Sequence, residues 1–225
     1  MSSAPLRVAI PSDDELRPFQ LVLDEGERAM GFAANSIKTM TRVPALSSAF
    51  GALAALFVAD PARAKPTAIA RLIPKNLRWS ASYMKAPDRV PLATRNFVAF
   101  AASRGADCRY CMAHTVTEAR HNGATEAQLH AIGDYENSDV FTEAEQAAFR
   151  FAEASAAVPS QVTDDHLATL RSFFSEDQVM ELVGVVSLFG FLNRYNTALA
   201  TPLEPEPLAA AEAYLAPHGW TRGVH

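Results

Sequence analysis

Cysteine is almost absent from this chain: two in 225 residues, alongside ten glycines. Two cysteines are too few for the disulfide framework of a secreted domain. Alternating apolar and polar stretches are missing, which excludes an obvious strand pattern, and no repeat of solenoid period occurs. Basic residues are in deficit, 20 Lys and Arg against 25 Asp and Glu, giving a formal charge of −5. With no basic cluster, neither nucleic acid nor an anionic membrane is an expected partner. The opening Met1-Ser2-Ser3-Ala4-Pro5-Leu6-Arg7 lacks the apolar core of a signal peptide, so the cytoplasm is the expected compartment. Long hydrophobic runs are missing too. Pro44 to Ala59 and Val179 to Leu192 are apolar but shorter than the roughly 20 residues a bilayer needs, and Glu181 interrupts the second. Both read as buried helices.

What the chain has is helix-forming composition. Hydrophobic residues make up 49%, many of them alanine, which favours helix over sheet. The length suits one large domain or two small ones. Met1 to Pro18 reads as an extended lead-in, and Phe19 to Phe32 and Asn35 to Thr41 as helices. Pro44 to Ala59 is a stronger helix, with Pro44 in its first turn. Thr67 to Met84, with Ile69, Leu72, Ile73, Leu77 and Trp79, should kink or split at Pro74, and Trp79 reads as core. Pro91 to Arg104 is a clean apolar helix with Gly105 as its C-cap. Asp107 then offers an N-cap to a helix that Asn122-Gly123 closes. Thr125 caps a short helix to Ile132, and Gly133 to Asp139 reads as a polar loop. Thr142-x-x-Glu145 and Ser175-x-x-Gln178 are capping boxes, opening helices to Ala156 and to about Ala200. Between them a helix from Thr163 or Asp164 ends near Phe174. Pro202, Pro205 and Pro207 mark a tail, with a last short helix over Leu208 to Leu215. The fold class is all-α.

Both cysteines fall in Asp107-Cys108-Arg109-Tyr110-Cys111-Met112-Ala113-His114-Thr115. At about 100° per residue, Cys108 at 0° places Cys111 near 300°, His114 near 240°, Glu118 near 280° and His121 near 220°. Thiols, imidazoles and a carboxylate thus share one helix face, with Cys111 and His114 at i,i+3 and His114 and Glu118 at i,i+4. An imidazolium or a helix N-terminus beside a thiol favours thiolate, the reactive form. Inert buried thiols and a zinc site through Cys108, Cys111 and His114 are the other readings, and the second lacks a fourth ligand. Covalent haem is excluded, because it needs histidine directly after the second cysteine. His121 suits the C-terminal end of a helix dipole. Asn193-Arg194-Tyr195, on an apolar helix, requires buried polar pairing at a subunit contact or a pocket wall.

Cys108-Arg-Tyr-Cys111-Met-Ala-His114-Thr, opening a helix after an alanine-rich one, resembles the alkylhydroperoxidase D-like (AhpD-like), peroxidase-related branch of the carboxymuconolactone decarboxylase superfamily. Thr142-Glu-Ala-Glu-Gln-Ala-Ala, the Phe149 to Ala154 stretch and Leu192-Asn-Arg-Tyr195 extend the likeness over roughly residues 30–203. Residues 1–29 would then be the lead-in and first helix, and 204–225 a C-terminal tail. The resemblance implies an AhpD-like helical bundle with the Cys-x-x-Cys at the start of a central helix. It implies a thiol-dependent peroxidase or disulfide oxidoreductase that needs no cofactor or metal. Its substrate would be a small hydroperoxide, and its partner a dithiol or disulfide reductase. The assembly would be a homo-oligomer: a trimer, hexamer or dimer. By position in the motif Cys111 would be the peroxidatic thiol, Cys108 the resolving thiol and His114 the base, with Tyr110 near the substrate.

Two departures stand out. Histidine follows the second cysteine by three residues where many members have four. Many members of the family carry a glutamate twelve residues before the first cysteine where this sequence has Asn96, and asparagine can orient an imidazole but cannot take its proton. Glu118, one turn past His114, is the expected substitute in a proton relay. A lactone decarboxylase working by proton transfer and a non-catalytic redox-sensing oligomer are the competing functions.

Overall fold

The computed structural model describes residues 9–30, 34–43, 45–57 and 66–222, and among them every regular element is a helix. Two compact units divide the chain, Met1–Asp88 and Arg89–His225.

The first unit opens with α1 (Asp13–Leu16), a 3-10 turn at Arg17–Phe19, and α2 (Gln20–Met30). The lead-in is therefore helical from Asp13. Ser12 and Glu15 form a capping box, with the Ser12 amide donating to Glu15 at 2.7 Å, a signal of the kind read elsewhere in the chain. Next come α3 (Asn35–Met40), α4 (Leu46–Phe57) and α5 (Pro66–Met84). Pro44 and the end of the expected helix at residues 58–59 lie outside the described residues. Pro74 sits inside α5, which is one helix and not two. Leu16, Val22, Leu23 and Ile37 form a small core, and Phe19 packs on Trp79 with ring centroids 4.7 Å apart. Ile73, Leu77 and Met84 of α5 are exposed.

The second unit is built around α6 (Leu92–Gly105), whose residues Phe97 to Ser103 are all buried. Packed on it are α7 (Arg109–His121), α9 (Glu143–Ala156) and α11 (Glu176–Leu199). Phe97, Phe141 and Phe149 meet edge to face, which the ring quadrupole favours. The connecting helices are α8 (Glu126–Ala131) and α10 (Asp164–Phe173). The expected polar loop after α8 is mostly a 3-10 helix, Ile132–Asn137, because Tyr135 is drawn inside and donates to Glu153 at 2.6 Å. Glu181 explains itself in the same way. It is a buried carboxylate on α11 that accepts from Arg89 at 2.6 and 2.9 Å and from the Val90 amide at 3.0 Å, with Arg95 at 3.2 Å.

The segment after α11 is folded as well. Its α12 (Pro205–Tyr214) begins three residues before the expected Leu208, and Pro205 takes the first helical position where its missing N–H costs nothing. Pro207, Ala210, Ala211 and Tyr214 are buried, and α12 packs along α7. That packing brings the chain's C-terminal segment to the cysteine helix.

Candidate active site

Three residues, Ala106, Asp107 and Cys108, link α6 to α7. Asp107 has φ +51 and is not an N-cap. It is the left-handed residue that ends α6: the Cys108 amide donates to Ser103 O at 2.9 Å and the Asp107 amide to Arg104 O at 3.0 Å, the paired bonds of a Schellman motif. Gly105 is the last residue of α6 and has another task, since a Cβ there would lie 2.5 Å from the Glu153 carbonyl oxygen of α9. Cys108 is the N-cap of α7, and its carbonyl accepts the first helical bond from Met112 at 3.0 Å. Both cysteines thus sit in the first turn, as expected, but one position closer to the helix start.

Both thiols are free and buried, Cys108 at 0% and Cys111 at 2% exposure. They hydrogen-bond to each other, and this bond, with burial and the charge Cys108 takes on ionising, pushes the Cys111 thiol up. The expectation of a lowered thiol pKa is therefore not met at Cys111. Once either thiol is ionised, a second negative charge beside it is strongly disfavoured. One group works the other way. Asn196 of α11 donates from Nδ2 to Cys111 Sγ at 3.5 Å, favouring its anion.

His114 lies one turn on, half-buried, and burial lowers its pKa. Two carboxylates oppose that, first Glu204 and then Glu118. Glu204 Oε2 is 2.8 Å from His114 Nε2. The approach is off the N–H direction, so it is a close charge contact and not an aligned hydrogen bond, and Nε2 is otherwise buried without a partner. The other oxygen of Glu204 accepts from the Tyr110 hydroxyl at 3.1 Å. The Tyr110 and His114 rings are 4.1 Å apart, and burial with the Glu204 contact raises the phenol to about 12. Glu118 is exposed and reaches the imidazole through its charge alone. Asn96 on α6 is half-buried with Nδ2 lacking a hydrogen-bond partner, and among the described residues no hydrogen bond joins it to His114. His121 meets Glu206 of α12 at 2.9 Å, beside Arg120 at 3.0 Å.

Sequence reasoning missed Glu204 and Asn196. Glu204 sits where a tail was expected, and Pro205 at a helix start was the readable sign that it is not one. Asn196 lies one turn beyond Asn193, which is buried at 3% exposure with its amide 3.5 Å from the Ala102 carbonyl. An open groove of about 1280 Å3 runs beside α11, lined by Phe151, Val186, Phe191, Asn193, Arg194 and, at the residue before Cys108, Asp107. Asn193-Arg194-Tyr195 is thus a groove wall. Among the described residues no three His, Cys, Asp or Glu side chains group as metal ligands, and no helix is long and apolar enough to cross a membrane.

Residues 74–154, which hold both cysteines and His114, match the carboxymuconolactone decarboxylase family. The uncharacterized protein YdfG of Bacillus subtilis (strain 168) is 25% identical over 107 residues, 47% of this chain and 73% of that one. The uncharacterized protein YnjA of Escherichia coli (strain K12) is 26% identical over 97 residues, 43% of this chain and 53% of that one, so the chain spans about half its length. Among solved structures, the debrominase Bmp8 without ligand is 26% identical, covers 94% of this chain and 98% of its own, and superposes with a TM-score of 0.55. A cysteine-to-alanine variant of Bmp8 in complex with 2,3,4-tribromopyrrole shares the fold at a TM-score of 0.56, with 24% identity over 95% of this chain and all of its own. The match to the carboxymuconolactone decarboxylase family thus takes in the Cys-x-x-Cys helix and spans residues 74–154, within an all-α fold that the Bmp8 structures share.

Proposed function

We propose that this protein is a thiol-dependent oxidoreductase in which Cys108 and Cys111 reduce a hydroperoxide. The observation that carries the reading is the hydrogen-bonded pair of free thiols at the start of α7 with His114 one turn away. His114 takes the Cys111 proton as general base. The Cys111 sulfur, helped by the Asn196 amide and the positive end of α7, attacks the distal oxygen. The O–O bond breaks, Cys111 becomes a sulfenic acid, and the alkoxide takes the proton back from the imidazolium to leave as alcohol. Cys108 then displaces hydroxide from Cys111, with a proton making it water, and the pair closes as a disulfide. The sulfurs already share a hydrogen bond, so closure needs little more than side-chain rotation. An external dithiol restores both thiols by exchange and leaves oxidised.

The likeness to the debrominase Bmp8 favours a second reading with the same pair. The sulfur would accept a halogen from a halogenated aromatic ring, the ring carbon would take a proton, and the second thiol would expel halide as the disulfide forms. Either substrate spends one dithiol per turnover. Lactone decarboxylation calls for no such pair and is disfavoured. Exposed apolar stripes, Ile73, Leu77 and Met84 on α5 and Leu188, Phe191, Tyr195 and Leu199 on α11, support a homo-oligomer.

The test is turnover. With excess dithiol, the reduced protein should consume an organic hydroperoxide over many cycles, and both Cys108→Ser and Cys111→Ser should stop it. Sulfenic acid should be trapped only where Cys111 remains. Halide release from a bromopyrrole without peroxide turnover would select the second reading. Oxidation once without turnover would mean a redox sensor.

A further inference from the structure

We propose that Glu204, carried by the C-terminal segment, is the positioning carboxylate of the site, holding His114 and Tyr110 beside the thiol pair in place of the carboxylate that Asn96 cannot supply. The inference rests on the reading that His114 serves the thiols.

Geometry is the first support. Glu204 divides its two oxygens between the Tyr110 hydroxyl at 3.1 Å and His114 Nε2 at 2.8 Å, and the two rings are themselves in contact at 4.1 Å. One carboxylate thus closes a triangle on the face of α7 that carries Cys111. Its anchoring is the second. Glu204 is the N-cap of α12, its carbonyl accepts from the Leu208 amide at 3.1 Å, and Pro205 restricts the backbone that follows. Two residues on, Glu206 grips Arg120 and His121 at the far end of α7. Beyond α12 the chain returns to the near end, where the Trp220 indole donates to Arg109 O at 3.2 Å and Arg109 donates to the Thr221 hydroxyl at 2.8 Å. The segment therefore straps α7 at both ends and presents Glu204 between them.

The competing groups do less. Tyr110 and Glu118 of α7 face the imidazole together with Glu204, and Glu118 is exposed to solvent where its charge is screened. Tyr110 is kept protonated by burial first, then by Glu204, and least by the charges that Cys111 and Cys108 take on when they ionise. When His114 takes a thiol proton the ring becomes a cation in a partly buried site, and the carboxylate at 2.8 Å stabilises that cation. Removing the charge makes His114 a weaker base and leaves the proton on sulfur.

The test is the pH profile of thiol alkylation by iodoacetamide in reduced parent, Glu204→Gln, Glu204→Asp and Glu118→Gln. The Glu204 side chain makes no capping bond, so the Gln variant should keep the parent's circular dichroism and melting temperature. Its alkylation should slow about tenfold at neutral pH, with the thiol titration moved up by about one unit. Asp, which keeps the charge on a shorter arm, should recover part of the rate, and Glu118→Gln should shift the profile less than Glu204→Gln. A Glu204→Gln profile that superposes on the parent's, or a larger shift from Glu118→Gln, would overturn the assignment. Iodoacetamide reports thiolate whatever the substrate is. A parent that consumes no hydroperoxide therefore removes the peroxidase reading and leaves this one standing.

Discussion

Asn196 Nδ2 donates to Cys111 Sγ across 3.5 Å and, with the same nitrogen, to the Leu192 carbonyl of its own helix at 3.0 Å. The amide is thus fixed by α11 before it meets the sulfur of α7, so little ordering is left for the sulfur contact to cost. Asn196→Ala should raise the Cys111 thiol further and slow its alkylation about fivefold, the effect of losing one neutral hydrogen bond worth about 1 kcal/mol. An unchanged rate would mean that the amide is merely satisfied there.

Glu181 offers a stability test away from the thiols. It is 6% exposed and holds Arg89, Arg95 and the Val90 amide together. Glu181→Ala would leave two guanidinium groups and a buried N–H without their carboxylate, and should cost about 3–5 kcal/mol in urea unfolding. Glu181→Gln should cost less, because the amide oxygen still accepts.

At Gly105 two effects of opposite sign compete. Alanine in a helix interior is favoured over glycine by about 1 kcal/mol. A Cβ at this position, however, would sit 2.5 Å from the Glu153 carbonyl oxygen and 2.9 Å from its Cα. Both are backbone atoms that cannot rotate away, so α6 and α9 must separate, at about 1–3 kcal/mol. Gly105→Ala should therefore be net destabilising, with a lower urea midpoint at unchanged slope. A stabilised variant would show that the two helices have room to move.

Acid should weaken the fold through His114. Its pKa is lowered from the ordinary 6.5 by burial, only partly offset by Glu204 and Glu118. Between 6.5 and its lower folded value the unfolded chain binds more protons than the folded one, so stability falls as pH drops through that window. Urea midpoints followed downward from neutral pH should decline less in His114→Gln than in the parent. In Glu204→Gln they should decline more, because the compensating charge is gone.

Most helices and the motif were legible from residue order alone. The apolar spacing of Phe97 to Ala102, the capping boxes at Thr142 and Ser175 and the clustering of Cys108, Cys111 and His114 are local, and the physics that reads them is local as well: backbone bonding at helix ends and side chains meeting every three or four residues. Where local signals competed, tertiary packing decided. Gly105 looked like a helix stop, but α9 needs its missing Cβ, and the stop passed to Asp107 in a left-handed conformation. The partners of the motif were beyond sequence reach for the same reason. Asn196 lies 85 residues from Cys111 in the chain, and Glu204 sits on a segment whose prolines read as a tail. Only the packing of α11 and α12 on α7 brings the amide to the sulfur and the carboxylate to the imidazole. Burial then set the direction of each pKa, lowering that of His114 and, with Cys108, raising that of Cys111. Desolvation depends on what covers a group, and spacing along one helix carries no information about the cover.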